Sequence, residues 1–575
     1  MDNKDLARIL TETADLMEIA AEDGFRIRSY RQAAATIEGY PERLAGIVRD
    51  PARDITSVPG IGKSLAGHIR EIVERGSFDR RDALLKKYPA GLLDVLKIPG
   101  LGPKSIAALL AHFPGLATID DLEKLVRAQK LRDLPRMGAK LEEKVLKGIE
   151  QFRRSSGRFL LSFATELAEE LSAYLQIDGV ELVTAAGSLR RGKDTVGDLD
   201  LLVTAADPQA VLDHFVKHPR VQQVLAQGEN KASANVGLEG LQVDVRALPK
   251  ASFGAALQYF TGSKEHNVTL RQRALKLGFT LNEYGLTHVA SGERVAGATE
   301  EEIYEKLGLA WIPPELRENQ GEIEAAESRT LPHLIELSDI RGDLHMHTTE
   351  TDGRGTLEEM AAAAKKRGYE YIVITDHSKA IAMANGLDEK RAVAFAHRVR
   401  ELDHNKLGIR VFSGLECDIM RDGHMDLADD ALAELDFVVA SVHSHMDLEP
   451  AAMTDRLLRA LECRSIKTIG HPTGRLLLRR DGFGFDLDAV ARACVQRGVA
   501  LEINASPERL DLNGAMVRQA KALGARFTIS TDAHQVHHFE NMRYGVQIAR
   551  RGWLEKRDVL NTLPLAKFSA AIQRN

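Results

Sequence analysis

The chain has 575 residues, 44% of them hydrophobic and 28% charged, too long for a single core and too apolar for a disordered polymer; a soluble protein of roughly three to five domains is expected. The net charge of −6 excludes a uniformly basic nucleic-acid-binding chain, but residues 51–158 carry 21 Lys and Arg against 13 Asp and Glu. A basic stretch inside an acidic whole marks a local phosphate-binding surface. Three widely spaced cysteines (Cys417, Cys463, Cys494) without a CxxC pair argue for reduced thiols and a cytoplasmic setting, the start lacks the order of a signal peptide, and no apolar run approaches the ~18 residues of a membrane span.

Residues 1 to about 50 are expected to form amphipathic helices, with Leu6, Ile9, Leu10, Ala14, Leu16 and Met17 on one stripe and Ala33–Ile37 on the next. Then comes Val58-Pro59-Gly60-Ile61-Gly62-Lys63, with a near copy at Ile98-Pro99-Gly100-Leu101-Gly102-Pro103-Lys104. A weaker copy is Leu134-Pro135-Arg136-Met137-Gly138-Ala139-Lys140, where Arg136 replaces the first glycine. Helical patterns flank each copy, and the repeat resembles the helix-hairpin-helix motif. Its glycines let a tight turn expose backbone N–H groups at a helix start, which hold DNA phosphates without reading sequence. Gly60, Gly62, Lys63, Gly100, Gly102 and Lys104 are the expected contacts.

Residues 159–249 alternate helix and strand. A helix is expected over Phe159–Gln176 and another over Pro208–Lys217. Between them lies Gly187-Ser188-Leu189-Arg190-Arg191-Gly192-Lys193-Asp194-Thr195-Val196-Gly197-Asp198-Leu199-Asp200, flanked by apolar runs. Residues i and i+2 share a strand face, so Asp198 and Asp200 point together while Leu199 and Leu201 enter a core. Two adjacent carboxylates repel unless a cation lies between them, and Mg²⁺ suits oxygen donors. The Gly-Ser pair and two arginines upstream suit a polyphosphate. In Leu241–Ala247, Leu241, Val243 and Val245 take one face and Gln242, Asp244 and Arg246 the other, which makes Asp244 a third carboxylate for the same site.

Tyr259-Phe260-Thr261-Gly262-Ser263-Lys264-Glu265-His266-Asn267 follows, then Gly278-Phe279 and Asn282-Glu283-Tyr284. With these motifs in order, residues 1–318 resemble a family X DNA polymerase of the DNA polymerase beta type. The resemblance implies a helical DNA-end-binding domain (1–85), helix-hairpin-helix fingers (86–155), a nucleotidyltransferase α+β palm (156–249) and a thumb (250–318). It implies that Asp198, Asp200 and Asp244 hold two Mg²⁺ or Mn²⁺ ions and are catalytic. Gly187, Ser188, Arg191 and Gly197 would contact the triphosphate. Tyr259, Phe260, Gly262 and Asn267 would line the sugar and base, and Arg271 would meet the template. Lys264 departs from the family, which has an acid there; a cation beside the nucleotide is expected to strengthen binding before DNA arrives. The family's 5′-deoxyribose phosphate lyase needs a Schiff-base lysine, and the hairpin alignment puts His68 there. Arg26, Tyr30 and Arg31 still suit a 5′-phosphate pocket, so gap binding with little lyase activity is expected.

Residues 319–336 read as a Glu-rich linker. Beyond it, Asp343-Leu344-His345-Met346-His347 opens a new series with Asp352 five residues on, and Thr375-Asp376-His377, Glu416, Ser441-Val442-His443-Ser444-His445, Gly470-His471-Pro472 and Asp532-Ala533-His534 follow, each at the end of a short apolar strand. Side chains at successive strand ends are where a β/α barrel builds its active site. The series resembles the PHP (polymerase and histidinol phosphatase) domain, a distorted barrel over 337–575 that binds a metal cluster. The resemblance implies nine ligands: His345, His347, Asp352, His377, Glu416, His443, His471, Asp532 and His534. By family similarity His345, His347, Glu416 and Asp532 hold one ion, Glu416, His443 and His471 a second, and Asp352, His377 and His534 a third, with Zn²⁺ or Mn²⁺ as the metal.

The fold class is therefore a multidomain α/β chain with a helical front, an α+β palm and thumb, and a C-terminal barrel. The expected function is gap filling in DNA repair by two-metal nucleotidyl transfer, with a 3′→5′ exonuclease or 3′-end phosphoesterase in the PHP half. Two other readings share these motifs: an active polymerase with the PHP half as a metal-stabilised scaffold, and a DNA-end-binding adaptor with phosphoesterase activity alone. The expected partners are gapped or primed duplex DNA with a 5′-phosphate and deoxynucleoside triphosphates, acting on a cytoplasmic, nucleoid-associated monomer.

Overall fold

The computed structural model describes residues 3–573 apart from 39, 41–43, 51, 52, 59, 136 and 156. Pro59 and Arg136 of the glycine repeat lie outside the described residues. The chain divides into two units, Met1–Ser156 and Gly157–Asn575. No helix among the described residues is long and apolar enough to cross a membrane.

The first unit is helical. The stripe of Leu6, Leu10 and Met17 on helix Asn3–Ile19 packs with Ile27 and Ile37 of Gly24–Glu38 and with Ile69 and Ile72 of Lys63–Arg75. A second core joins Ile98, Ile106, Leu109, Leu122, Val145 and Ile149. The two strong repeats adopt the same turn. Gly60 and Gly100 have φ of +79° and +97°, a region only glycine enters freely. Gly62 and Gly102, both exposed, are extended N-caps of helices Lys63–Arg75 and Pro103–His112, and no side chain caps either start. In the weaker copy Gly138 precedes helix Ala139–Ser155.

The second unit begins with the stretch expected to be a palm. Its five-stranded sheet runs in the order Val180–Ala185, Asp198–Ala205, Leu241–Ala247, Lys231–Val236 and Val221–Gln227. Asp198–Ala205 and Leu241–Ala247 are parallel neighbours, and the other pairings are antiparallel. Leu199, Leu201, Val243 and Val245 are fully buried beneath helices Leu161–Tyr174 and Pro208–Phe215. Two local expectations change. Phe159 and Leu160 form a short strand against Thr195–Val196 before the helix begins at Leu161. The hairpin Val221–Val236 adds two strands beyond those read from the sequence.

The thumb has helices Phe253–Thr261 and Lys264–Lys276, the three-stranded sheet Phe279–Asn282, Gly285–His288 and Arg294–Ala296, and helix Glu300–Lys306. Thr299 and Glu302 close that last helix with a reciprocal capping box. The expected linker 319–336 is folded rather than a bare tether. Glu322–Glu327 is a helix whose Ile323 and Ala326 join the thumb core, and Glu322 is buried against His266.

The remainder is a parallel seven-stranded sheet in sequential order: Gly342–Asp343, Tyr371–Ile374, Arg410–Asp418, Phe437–Ser441, Ile466–Ile469, Ala500–Asn504 and Phe527–Ser530. A parallel bridge between Met346 and Ala533 brings the first and last strands together into a nearly closed barrel. Strands buried on both faces read as continuous apolar runs, as Tyr371–Ile374 and Phe437–Ser441 do.

Candidate metal centres

In the palm, the parallel register sets Asp200 directly opposite Asp244, with Asp198 two residues earlier on the same face. Burial first, and then the charges of Asp198 and Asp244, push the Asp200 carboxyl up to about 6 against a partial counterweight from Arg246. Asp244 goes the other way. Burial pushes it up, but hydrogen bonds from Lys231, Ser233 and Gln242 outweigh that and hold it below its ordinary value. Lys231 Nζ stands 2.6 Å and Arg246 Nη2 3.3 Å from Asp244 Oδ2. Three carboxylates on one face of two neighbouring inner strands, one reluctant to ionise and one leaning on a lysine, are the oxygen-donor set that suits a hard divalent cation. The palm carboxylates do not form one of the close donor groups found among the described residues, all of which lie in the barrel.

Of the residues read as nucleotide contacts, Gly187 lies against Asp200, and Phe260 lies under Arg246, which is 3.9 Å from Asp200. Gly187 has φ +62°, a region that favours glycine, and a Cβ there would stand 3.0 Å from Asp200 Oδ2, so the loop passes close to the carboxylate. Ser188 follows in the helical turn Gly187–Arg190. Gly197 directly precedes Asp198. Arg191 Nε donates to Glu318 at 3.0 Å and its Nη1 to the Thr261 carbonyl. Arg190 instead serves the scaffold: it shares buried Glu300 with fully buried Arg317. Phe260 stacks under Arg246, with 4.3 Å from guanidinium carbon to ring centre, and meets Tyr259 edge-on. Gly262 lies near Arg191 Nη1. Both ends of the Asn267 amide are engaged, its oxygen by Gln258 and its nitrogen with the Tyr259 carbonyl, each at 2.7 Å, so this side chain also shapes the loop. Lys264 and Arg271 are exposed on helix Lys264–Lys276.

In the helical unit, Lys63 and Lys104 are exposed in the first turns after the hairpins, and Arg26 is exposed as well. Tyr30 and Arg31 both have partners within this unit, and Arg31 is exposed. Tyr30 is buried, with its hydroxyl 2.9 Å from His68 Nδ1, and Arg31 is paired with Asp15 and Glu18 at 2.8 and 2.6 Å. Burial lowers the His68 pKa.

The barrel gathers all nine expected ligands at its strand ends. Glu416 lies 2.8 Å from His471, 2.9 Å from His377, 3.3 Å from His443 and 3.5 Å from His345. Asp532 is 3.1 Å from His347, and Asp352 is 3.5 Å from both His377 and His534. Three groups have donor atoms mutually within 4.8 Å: His347, Asp352, His377 and His534; His345, His347 and Asp532; and His377, Glu416 and His443. This partition differs from the expected one. His347 and His377 each belong to two groups, and His471 stands beside Glu416 without entering one. His471 and Asp532 hold φ of +26° and +53°, strained values for residues with a side chain.

The electrostatics match a cation cluster. Burial would raise Glu416, but surrounding imidazoles, His443 first, hold it well below the carboxylate range. Burial and then His534 and His377 push His347 down to about 3. Burial also works against the charged form of His377 and His443, yet Glu416 leads a set of carboxylates that raises them to about 10 and about 9. Buried ring nitrogens His345 Nε2, His347 Nδ1 and His471 Nδ1 have no hydrogen-bond partner. Interiors rarely leave such lone pairs idle, and imidazole with carboxylate suits Zn²⁺ or Mn²⁺, so the residues fit the group.

Two supporting carboxylates were not singled out from the sequence. Glu502 accepts the His345 Nδ1–H at 2.8 Å, which leaves Nε2 as the donor atom, and its other oxygen accepts from the His471 backbone at 2.6 Å. Asp418 pairs in the same way with His443 Nδ1 at 3.1 Å. Both are acids on otherwise apolar strands, the signal that would have found them. Asp343 and Asp376 hold loops rather than ions. Asp343 accepts from Thr531, and burial pushes it up to about 7, while Asp376 accepts from Thr348 and Thr351.

Relatives match each part. Residues 1–78 match a helix-hairpin-helix domain, 92–151 a SAM-like helix-hairpin-helix tandem, 256–318 the DNA polymerase beta thumb and 343–506 the PHP domain. Fold and site together define a metal-dependent polymerase of family X joined to a metal-dependent PHP hydrolase. The chain is 37% identical over 577 residues, covering 100% of both sequences, to DNA polymerase/3′-5′ exonuclease PolX of Bacillus subtilis (strain 168). It belongs to this PolX family. It is also 27% identical over 352 residues to DNA polymerase lambda of Arabidopsis thaliana, covering 55% of this chain and 62% of that one. Over 244 residues, 40% of this chain and 91% of the other, it is 29% identical to the protein named Probable phosphatase in Shewanella sp. (strain ANA-3).

Proposed function

We propose that this chain fills short DNA gaps as a DNA-directed DNA polymerase and trims 3′ ends with its PHP half, as a 3′→5′ exonuclease or 3′-end phosphoesterase. The observation that carries the polymerase reading is Asp200 facing Asp244 across two parallel strands with Asp198 beside them. Those carboxylates would hold Mg²⁺ or Mn²⁺, which supplies charge neutralisation for in-line attack of the primer hydroxyl on the nucleotide. Asp244, kept ionised by Lys231, accepts the hydroxyl proton. Gly187, Ser188, Arg191 and Gly197 bind the triphosphate, Tyr259, Phe260, Gly262 and Asn267 bound the sugar and base, and Arg271 steadies the template.

In the barrel the nine ligands would hold Zn²⁺ or Mn²⁺, which supplies an activated water and stabilises the departing oxyanion. Glu502 and Asp418 fix the tautomers of His345 and His443. The boundaries 1–85, 86–155, 156–249, 250–318 and 337–575 assign end binding, fingers, palm, thumb and hydrolase. The hairpin contacts Gly60, Gly62, Lys63, Gly100, Gly102 and Lys104, with Arg26, favour a gap bearing a 5′-phosphate, and the protein works as a cytoplasmic monomer on nucleoid DNA. Primer extension into a one-nucleotide gap tests the reading, run with Mg²⁺ or Mn²⁺ and with or without the 5′-phosphate. Wild-type protein extends the primer, Asp200→Ala does not, and the 5′-phosphate speeds the reaction. A wild-type protein that adds no nucleotide under either metal overturns the reading.

A further inference from the structure

The loop proposed to cradle the triphosphate, Gly187 to Asp194, is held from behind by the barrel. Arg551, the last residue of helix Met542–Arg551, donates from Nη1 to the Arg191 carbonyl at 2.7 Å and to Glu318 Oε1 at 3.1 Å. The same oxygen accepts from Arg191 Nε at 3.0 Å and lies 3.8 Å from Lys193 Nζ. One carboxylate oxygen is therefore divided among three cations. Burial raises Glu318, but Arg551, Arg191 and Lys193 outweigh it and keep the group ionised. Arg475 makes a second clasp. Its Nη1 lies 2.8 Å from Asp194 Oδ2, while Nε donates to the Arg509 carbonyl at 2.8 Å and Nη2 to that of Leu510. A third contact is steric. Gly192 has φ +64°, and a Cβ there would stand 2.4 Å from Gln547 Cγ, so the loop lies flush against the barrel.

We propose that Arg551 and Arg475 of the barrel are positioning residues for the polymerase: they fix the shape of the triphosphate loop and leave the Arg191 guanidinium able to turn to a phosphate. The inference rests on Arg191 being a triphosphate ligand. Glu318 competes with the nucleotide for that guanidinium. Arg551 takes part of the Glu318 charge and pins the Arg191 backbone. Without Arg551, Glu318 holds Arg191 harder and the loop loses an anchor. Both changes weaken nucleotide binding, and neither touches the nine barrel ligands.

The test measures gap-filling kcat and nucleotide KM, and 3′ trimming, in the full chain. Arg551→Ala is expected to raise nucleotide KM about tenfold with kcat nearly unchanged, and to leave trimming as in wild type. Arg475→Ala is expected to raise KM as well. Adding Glu318→Gln to Arg551→Ala removes the competing charge and is expected to recover most of the lost affinity, whereas a purely structural role would make the double variant worse. Unchanged KM in both single arginine variants, with Arg191→Ala still raising it, overturns this inference alone. Unchanged KM in Arg191→Ala overturns the nucleotide-site reading beneath it. If Arg551→Ala loses trimming and synthesis together, the fold has failed. Arg551→Lys then decides: it keeps the charge but gives up the paired hydrogen bonds, so KM should rise about threefold, and an unchanged KM overturns the proposal.

Discussion

Replacing Asp200 by Asn should stabilise the palm while abolishing synthesis. Burial and the neighbouring Asp198 and Asp244 charges raise the Asp200 carboxyl from 3.8 to about 6. Below 3.8 the group is protonated in both folded and unfolded chains, and its ionisation costs nothing. Between 3.8 and 6 the folded chain keeps a proton that the unfolded chain has lost, so stability falls as pH rises. Above 6 both states are ionised and the full cost stands. A shift of about two units corresponds to about 3 kcal/mol at about pH 8, and about half of that at about pH 5. A chain of this size does not unfold in one step, so the readout is local: hydrogen exchange of amides in strand Asp198–Ala205, with EDTA, in wild type and Asp200→Asn. The variant should be better protected, with a gain that grows from pH 5 to pH 8. Mg²⁺ should raise wild-type protection more than the variant's, since the carboxylate that needs a cation has gone. Lower protection in the variant, or a gain that is the same at both pH values, would refute the reasoning.

Other outcomes follow from the same geometry. Glu300 is held at about 2 because Arg317 and Arg190 outweigh the upward push of burial. Its folded pKa lies below its ordinary 4.5, so its contribution is complete above about 4.5 and is lost as pH falls toward 2. Glu300→Ala leaves two arginines without their shared carboxylate and should cost about 3–5 kcal/mol of local stability, read from hydrogen exchange of the amides in helix Glu300–Lys306; wild-type protection in the variant would contradict it. Lys264→Ala should weaken nucleotide binding in the absence of DNA, measured by calorimetric titration; unchanged affinity removes Lys264 from the site. Borohydride should trap no adduct with a 5′-deoxyribose phosphate end, because half-buried His68, not a lysine, stands at the expected position; a trapped adduct would show that another amine performs the chemistry.

Much of both centres was legible because the chemistry follows short periods. Alternation in Asp198–Leu201 and Leu241–Ala247 separates core leucines and valines from carboxylates, and the barrel ligands terminate apolar strands. What was hidden depends on distant partners. Which histidines share a donor group is decided by loops folding over the barrel mouth, so His347 and His377 turn out to serve two groups each. Glu502 is one acid on a buried strand, and only the fold sets it against His345, 157 residues away. The Glu-rich stretch after Asn319 has linker composition, but Glu322 is buried because His266 and the amides of Asn319 and Gln320 donate to it. The hairpin Val221–Val236 lacks clean alternation, since Val221–Gln227 is exposed along most of its length. The partners of Tyr30 and Arg31, namely His68, Asp15 and Glu18, were also out of reach of local patterning.

We propose that one chain holds two separate metal centres, one that lengthens a DNA 3′ end and one that shortens it. The most direct measurement follows a 5′-labelled primer on gapped DNA, with and without nucleotides, for wild type, Asp200→Ala and His345→Ala. Wild type should extend the primer with nucleotides and shorten it without them, Asp200→Ala should only shorten it, and His345→Ala should only extend it. Loss of both activities in either variant, or shortening that survives His345→Ala, would contradict it.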